Sequence, residues 1–245
     1  MAKNEEALYF AKLSEQAERY QDMVKYIKTI STAGEELGSE ERNLLSIAYK
    51  NHIGTRRTAW RALASIEQKE ESKASKNLET VRKYKAKVEN EVNAICKEIM
   101  ELLDKHLIPN AKSPDCQVFY LKMKGDYCRY NAECSTGDAK KAIAVKAMEG
   151  YQKAMEISEK SLASTNPVRL GLALNFSVFN YEIMNAPEKA CELAKSAFDS
   201  AVSDLEGLDD EKYKDSATIL QLIKDNLTIW NADVEDAAKK EGDGN

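Results

Sequence analysis

From Thr55 to Ile108 the chain runs for 54 residues without a glycine or a proline. Those two residue types break helices and shape tight turns, so their absence favours long helices. It disfavours an all-β protein built from hairpins, which needs a turn signal about every 8–12 residues. The stretch is also too long for one ordinary globular helix. It divides most naturally at KEESKASKN, residues 69–77, where strongly apolar positions vanish. Polar and Gly/Pro punctuation elsewhere predicts nine helices, at about 3–17, 20–33, 39–70, 77–107, 115–135, 138–161, 168–185, 188–205 and 211–233, with no convincing strand.

Start signals support several of these. Ser39 precedes an acidic first turn at Glu40 and Glu41, Asp115 follows Pro114, Asp138 follows Gly137, and Pro187 with Glu188 opens the eighth helix. Short connections make successive helices antiparallel neighbours, so the expected fold is all-α, an array of stacked hairpins rather than a closed four-helix bundle. We expect a single helical domain over residues 1–234, followed by a disordered polar tail, EDAAKKEGDGN, at 235–245.

The charge balance narrows the function. A net charge of -5 argues against general nucleic-acid binding, which needs a basic stripe to neutralise several phosphates. No window reaches the roughly 18 apolar residues of a membrane span, and MAKNEEALYF lacks a long apolar run, so a cytoplasmic protein is expected. Cys96, Cys116, Cys128, Cys134 and Cys191 form no C-x-x-C pair and have only His52 and His106 as imidazole partners, which suits reduced thiols and no metal site. No P-loop or G-x-S-x-G motif appears. Neither catalysis nor a cofactor is expected.

Against that acidic background, Lys50, Arg57 and Arg61 fall at i, i+7 and i+11. At ~100° per residue they project within roughly 40° of one another on one helical face. Lys122 and Arg129 repeat the seven-residue spacing, with the Tyr130 hydroxyl beside the guanidinium. Any one of these cations alone would read as a solvated or salt-bridged surface residue. Together they suit an anion with several acceptor oxygens, and a phosphate is the natural candidate. Two further stripes mix apolar side chains with an amide: Leu174, Asn175, Val178 and Glu182, then Ile219, Leu222, Asn226 and Ile229. An Asn amide donates and accepts at once, which suits the backbone of an extended peptide.

The segments RNLLSIAYKNHIGTRRTAWRALASIEQK (42–69), VFYLKMKGDYCRY, NPVRLGLALNFSVFNYEI and YKDSATILQLIKDNLTIW resemble the 14-3-3 family of phosphopeptide-binding adaptors, and the likeness runs from SEQAERY at 14–20 to Trp230. The resemblance implies nine antiparallel helices forming a cup-shaped protomer with an amphipathic groove, paired in a W-shaped dimer. It implies binding of phosphoserine or phosphothreonine segments of client proteins, regulating their activity, localisation or interactions. Lys50, Arg57, Arg129 and Tyr130 match the family's phosphate pocket, with Arg61 beside them. Asn175 and Asn226 match the amides that hold the ligand main chain, and Lys122 and Glu182 match polar groove positions. Leu174, Val178, Ile219, Leu222, Ile229 and Trp230 match the apolar wall and floor.

A homodimer, or a heterodimer with paralogues, is implied in the same way through about residues 1–70 and beyond. Leu13 and Ala17 would meet Ala59, Leu63, Ile66 and Tyr84 of the second copy. Arg19 with Glu91 and Asp22 with Lys87 match intersubunit ion pairs. No membrane or nucleic-acid partner is implied, and a nuclear pool beside the cytoplasmic one is compatible with an adaptor.

Several positions depart from the family pattern and suggest a divergent member. Ala59 and Ala186 replace regulatory serines, Thr218 and Lys224 replace the usual Leu and Arg, and Cys128, Asn131 and Asn180 replace more usual aromatic or aliphatic residues. The competing reading is a helical-repeat scaffold that binds acidic or C-terminal carboxylate peptides whatever their phosphorylation. It is disfavoured because no period of about 34 residues is visible.

Overall fold

The computed structural model describes residues 2–205 and 210–242, with side chains described at 4–205 and 213–236. Nine helical rods and no strand occur among the described residues: α1 Ala2–Gln16, α2 Tyr20–Ser31, α3 Ser39–Ser72, α4 Leu78–Leu102, α5 Pro114–Glu133, α6 Gly137–Ser161, α7 Pro167–Glu182, α8 Pro187–Ser203 and α9 Asp210–Gly242. α4 does not stop at its last α-helical residue. It continues through a π-helical turn, Leu103–Leu107, into Ile108–Asn110, and ends where Ala111 turns extended.

The helix starts follow local chemistry. α3 starts at Ser39, where the sequence placed it, and Gly38 at the cap position donates its N–H to Glu41 Oε2 at 2.7 Å. Before α5 the cap is Ser113, whose Oγ accepts from the Cys116 N–H at 3.2 Å. Asn166 caps α7, accepting from the N–H groups of Val168 at 2.8 Å and Arg169 at 3.3 Å, with Pro167 at the first helical position. At the other end, the polar tail expected from residue 235 is helical backbone as far as Gly242. Its Ala, Glu, Asp and Lys residues carry helix-compatible propensities, and its glycines come only at the end. Residues 243–245 of the predicted tail lie outside the described residues.

The chain divides into two compact units. The first comprises residues up to Ala111 together with Cys134–Thr136, and the second comprises Lys112–Glu133 and the residues from Gly137 onward. In the first unit α1 packs on α2, α2 on α3 and α3 on α4. Its interior is filled by Met23, Ile27, Leu45, Ile53, Ile99 and Leu103, all fully buried. Tyr49 is buried among them and donates its hydroxyl to Glu98 at 2.7 Å, which ties α3 to α4. In the second unit α5 and α6 make the closest pairing, and α7, α8 and α9 pack on one another. Leu170, Ala190, Ala194, Ala201, Leu220, Ile223 and Trp230 form one core cluster there. The small residues on α8 let its neighbours approach closely.

Candidate functional site

The predicted phosphate set is divided between the two units: Lys50, Arg57 and Arg61 belong to the first, Arg129 and Tyr130 to the second. On α3, burial of Leu44, Leu45, Ala48, Tyr49 and Ile53 fixes the helix rotation. That rotation leaves Lys50 and Arg61 exposed and Arg57 half-buried. Gly54 sits within the same face, and a Cβ built there would meet nothing within 4 Å. The neighbouring Arg56 points elsewhere: its Nη1 donates to the His52 carbonyl at 3.1 Å, and its Nε lies 3.6 Å from Glu91 Oε2.

The second unit holds a buried polar hub around Asp126. Its Oδ2 accepts from Lys122 Nζ at 2.8 Å, and its Oδ1 accepts from the Tyr151 hydroxyl at 2.6 Å and from Asn175 Nδ2 at 2.8 Å. Three helices, α5, α6 and α7, thus converge on one carboxylate. Burial pushes the Asp126 carboxyl up, but the charges of Lys122 and Arg129 outweigh burial and hold it below the ordinary carboxylate range. Burial and then Asp126 push the Tyr151 phenol well above its ordinary value, so it stays a donor.

Arg129 is only 7% exposed. Its Nε donates to the Tyr151 hydroxyl at 3.2 Å, while its terminal nitrogens stand 3.7 Å from Asp126 Oδ1 and 3.8 Å from Glu182 Oε2, beyond hydrogen-bonding distance. The guanidinium lies over the Tyr130 ring, 4.8 Å from its centroid. Burial disfavours this cation, but Tyr151, Tyr130 and Asp126 overcome that and keep it protonated. The structure therefore brings together Lys122, Arg129, Tyr130, Asn175 and Glu182 from the predicted set. It adds Asp126 and Tyr151, which the sequence reading missed.

The apolar candidates separate by exposure. Leu174, Val178 and Ile219 are partly buried against the core cluster. Leu222 and Ile229 are 49% and 59% exposed on α9, with Asn226 half-buried. Trp230 belongs to the core: it is buried, and its ring stacks on Tyr181 at 4.9 Å. The Tyr181 hydroxyl in turn donates to Asp233. Thr218 is exposed and donates its hydroxyl to the Lys214 carbonyl at 3.0 Å.

The residues expected at a dimer seam lie on the first unit. Leu13, Ile66 and Tyr84 are exposed, as are Ala17 and Ala59, while Leu63 is half-buried. Tyr9 and Phe10 on α1 add exposed aromatic surface beside Leu13 that the sequence reading did not include. The four residues matched to intersubunit ion pairs all have contacts within this chain. Arg19 Nε donates to Asp22 Oδ2 at 2.6 Å, Glu91 faces Arg56, and Lys87 lies 6.0 Å from the centroid of the Tyr84 ring.

No cluster of His, Cys, Asp and Glu placed to hold a metal occurs among the described residues, and no helix there is long and apolar enough to cross a membrane. A sequence model of the family described as 14-3-3 protein matches residues 10–231. The checkpoint signal transducer rad24 of Schizosaccharomyces pombe is 54% identical over 239 residues, covering 97% of this chain and 88% of that protein. The 14-3-3 protein beta/alpha-A of Xenopus laevis is 54% identical over 235 residues, 95% of this chain and 96% of its own length. Protein BMH2 of Saccharomyces cerevisiae is 52% identical over 239 residues, 97% of this chain and 88% of its own length.

Proposed function

The chain belongs to the 14-3-3 family, and from that premise we propose that it is a dimer whose grooves bind phosphoserine and phosphothreonine segments of client proteins. As a member of that family it is an adaptor and not an enzyme. In this reading Lys50, Arg57, Arg129 and Tyr130, with Arg61, are the residues that take the phosphate, as the family resemblance implies. Asn175 and Asn226 hold the ligand backbone, and exposed Leu222 and Ile229 meet its side chains. The protein works in the cytoplasm and the nucleus, wherever its clients are phosphorylated. Two grooves in one dimer engage doubly phosphorylated clients through effective concentration.

The observation that carries the reading is Arg129. A guanidinium that is 7% exposed normally has its donors taken up by close carboxylates, yet here the carboxylates stand at 3.7 and 3.8 Å from the terminal nitrogens. Those donors suit an oxyanion from outside the chain. Charge-assisted hydrogen bonds contribute roughly 1.5–3 kcal/mol each, so two lost with a phosphate weaken binding by about 3–6 kcal/mol, or roughly 10² to 10⁴ in affinity. That range suffices for a phosphorylation switch.

The test is titration of a fluorescent Arg- and Ser-containing peptide, with and without phosphate on its Ser, against wild type and Arg57→Glu. The phosphorylated peptide is expected to bind wild type at least about a hundredfold more tightly, and Arg57→Glu to lose that preference. Equal binding of both peptides to wild type would overturn the reading in favour of a phosphate-independent scaffold.

A further inference from the structure

We propose that Tyr151 is a positioning residue for the ligand: its hydroxyl occupies Asp126 so that Arg129 stays available to an incoming phosphate. The proposal rests on the phosphopeptide reading above and names a residue that touches no ligand in it.

The argument starts from competition. Asp126 is the buried carboxylate nearest to Arg129, and a buried Asp and Arg three residues apart on one helix would ordinarily close into a direct pair. Such a pair would consume the donors that a phosphate needs. Here it does not close. Asp126 Oδ1 already accepts two short hydrogen bonds, from Tyr151 at 2.6 Å and Asn175 at 2.8 Å, and Oδ2 accepts from Lys122 at 2.8 Å. Arg129 Nη2 remains 3.7 Å from Oδ1. It gains the electrostatic compensation that a buried cation requires without giving up its hydrogen bonds. The same Tyr151 hydroxyl accepts from Arg129 Nε at 3.2 Å, which fixes the plane of the guanidinium from behind.

The fold is shaped to bring that hydroxyl there. Tyr151 lies flat against α5 at Gly125, where an added Cβ would come within 2.7 Å of the ring, so any side chain at 125 would push the tyrosine off the helix. Gly150 permits the same close crossing from α6, since its own Cβ would meet the Gly125 nitrogen and the Leu121 carbonyl at 3.3 Å. Phe176 also stacks on the ring at 5.3 Å, and Phe179 tilts against it at 5.5 Å. The ring is clamped, and its oxygen has one place to go.

Tyr151→Phe keeps the clamped ring and removes only the hydroxyl. The expected result is that Arg129 Nη2 closes onto Asp126 Oδ1 to under about 3.2 Å in a crystal structure of the unliganded variant. Phosphopeptide affinity then falls roughly tenfold or more, while the unphosphorylated peptide is unaffected. Adding Asp126→Asn to Tyr151→Phe removes the competing charge and restores most of the lost affinity, which a merely structural role for Tyr151 would not do. An unmoved Arg129 in the Tyr151→Phe crystal overturns the proposal whatever the peptides do. So does a variant that binds phosphopeptide like wild type, or a double variant without rescue. If wild type itself ignores the phosphate, the functional reading fails, and the crystal structure still reports separately on whether Tyr151 holds Arg129 from Asp126.

Discussion

Replacing Gly54 by alanine separates what this helix needs for stability from what its cationic face needs for binding. Gly54 lies inside α3, four residues after Lys50 and three before Arg57. A mid-helix glycine is about 0.8–1.0 kcal/mol less favourable than alanine. An added Cβ at 54 meets nothing within 4 Å, so no steric penalty offsets the gain. Gly54→Ala is therefore expected to stabilise the protein by close to that amount, raising the thermal midpoint by roughly 2 °C for a chain of this size. The same change at Gly125 places a Cβ 2.7 Å from a clamped ring, where overpacking of about 1–3 kcal/mol or more outweighs the propensity gain. On the proposed ligand face the extra methyl at 54 stands between two phosphate-binding cations. Displacing one charge-assisted bond there costs about 1.5–3 kcal/mol, a tenfold to hundredfold loss of phosphopeptide affinity. Denaturation curves and peptide titrations on Gly54→Ala and Gly125→Ala measure both quantities. A destabilised Gly54→Ala would refute the stability argument, and a stabilised one with unchanged phosphopeptide affinity would show that the face between Lys50 and Arg57 does not meet the phosphate.

His52 provides a pH prediction. Burial first, then Arg56, hold its imidazole below the ordinary value of 6.5, against an opposing pull from Glu98. As pH falls through 6.5 the unfolded chain takes up this proton before the folded one, so stability drops below that pH and levels off once the folded imidazole is also protonated. Denaturant unfolding between about pH 7 and 5 should show a shallower loss in His52→Gln than in wild type, and identical slopes would refute the assignment. At the fully buried Asn180, Nδ2 donates to the Phe176 carbonyl at 2.8 Å, while Oδ1 has no partner among the described residues. A buried unsatisfied acceptor costs about 1–3 kcal/mol and the bond returns about 0.5–1.5, so Asn180→Leu should be neutral to slightly stabilising; a loss above about 1 kcal/mol in urea denaturation would contradict this.

The helices were legible because they are punctuated by the chain itself, through Gly38, Pro114, Gly137, Pro167 and Pro187. The π-helical turn at Leu103–Leu107 was not, since LDKHL carries no local signal that distinguishes it from ordinary helix. In α9 two apolar stripes run side by side. One, through Leu220, Ile223 and Trp230, turned inward, and the other left Leu222 and Ile229 exposed. Periodicity finds both stripes but does not say which neighbour each will meet. Lys122, Arg129 and Asn175 could be picked out by type, spacing and resemblance. Asp126 and Tyr151 lie 25 residues apart on different helices and become partners only through the crossing at Gly125 and Gly150. The spacing of residues along one helix does not reveal such a partner.

The contacts within the protomer also decide what can hold the proposed dimer together. Arg19 is already paired with Asp22, and Glu91 already faces Arg56, so forming the intersubunit pairs exchanges existing partners for new ones. Exposed pairs contribute only ~0–1 kcal/mol even when nothing is given up in exchange, and the net contribution of an exchange is smaller still. Strength must come from apolar area. Tyr9, Phe10 and Leu13 occupy little more than one turn of α1, and Ile66 and Tyr84 are exposed on α3 and α4. At about 25 cal/mol per Å² of apolar surface removed from water, covering side chains of this size yields on the order of 1 kcal/mol or more apiece, which outweighs the exchanged ion pairs. In the proposed dimer the charges would then set which copy pairs with which and in what register, and the aromatic and aliphatic side chains would hold the pair together.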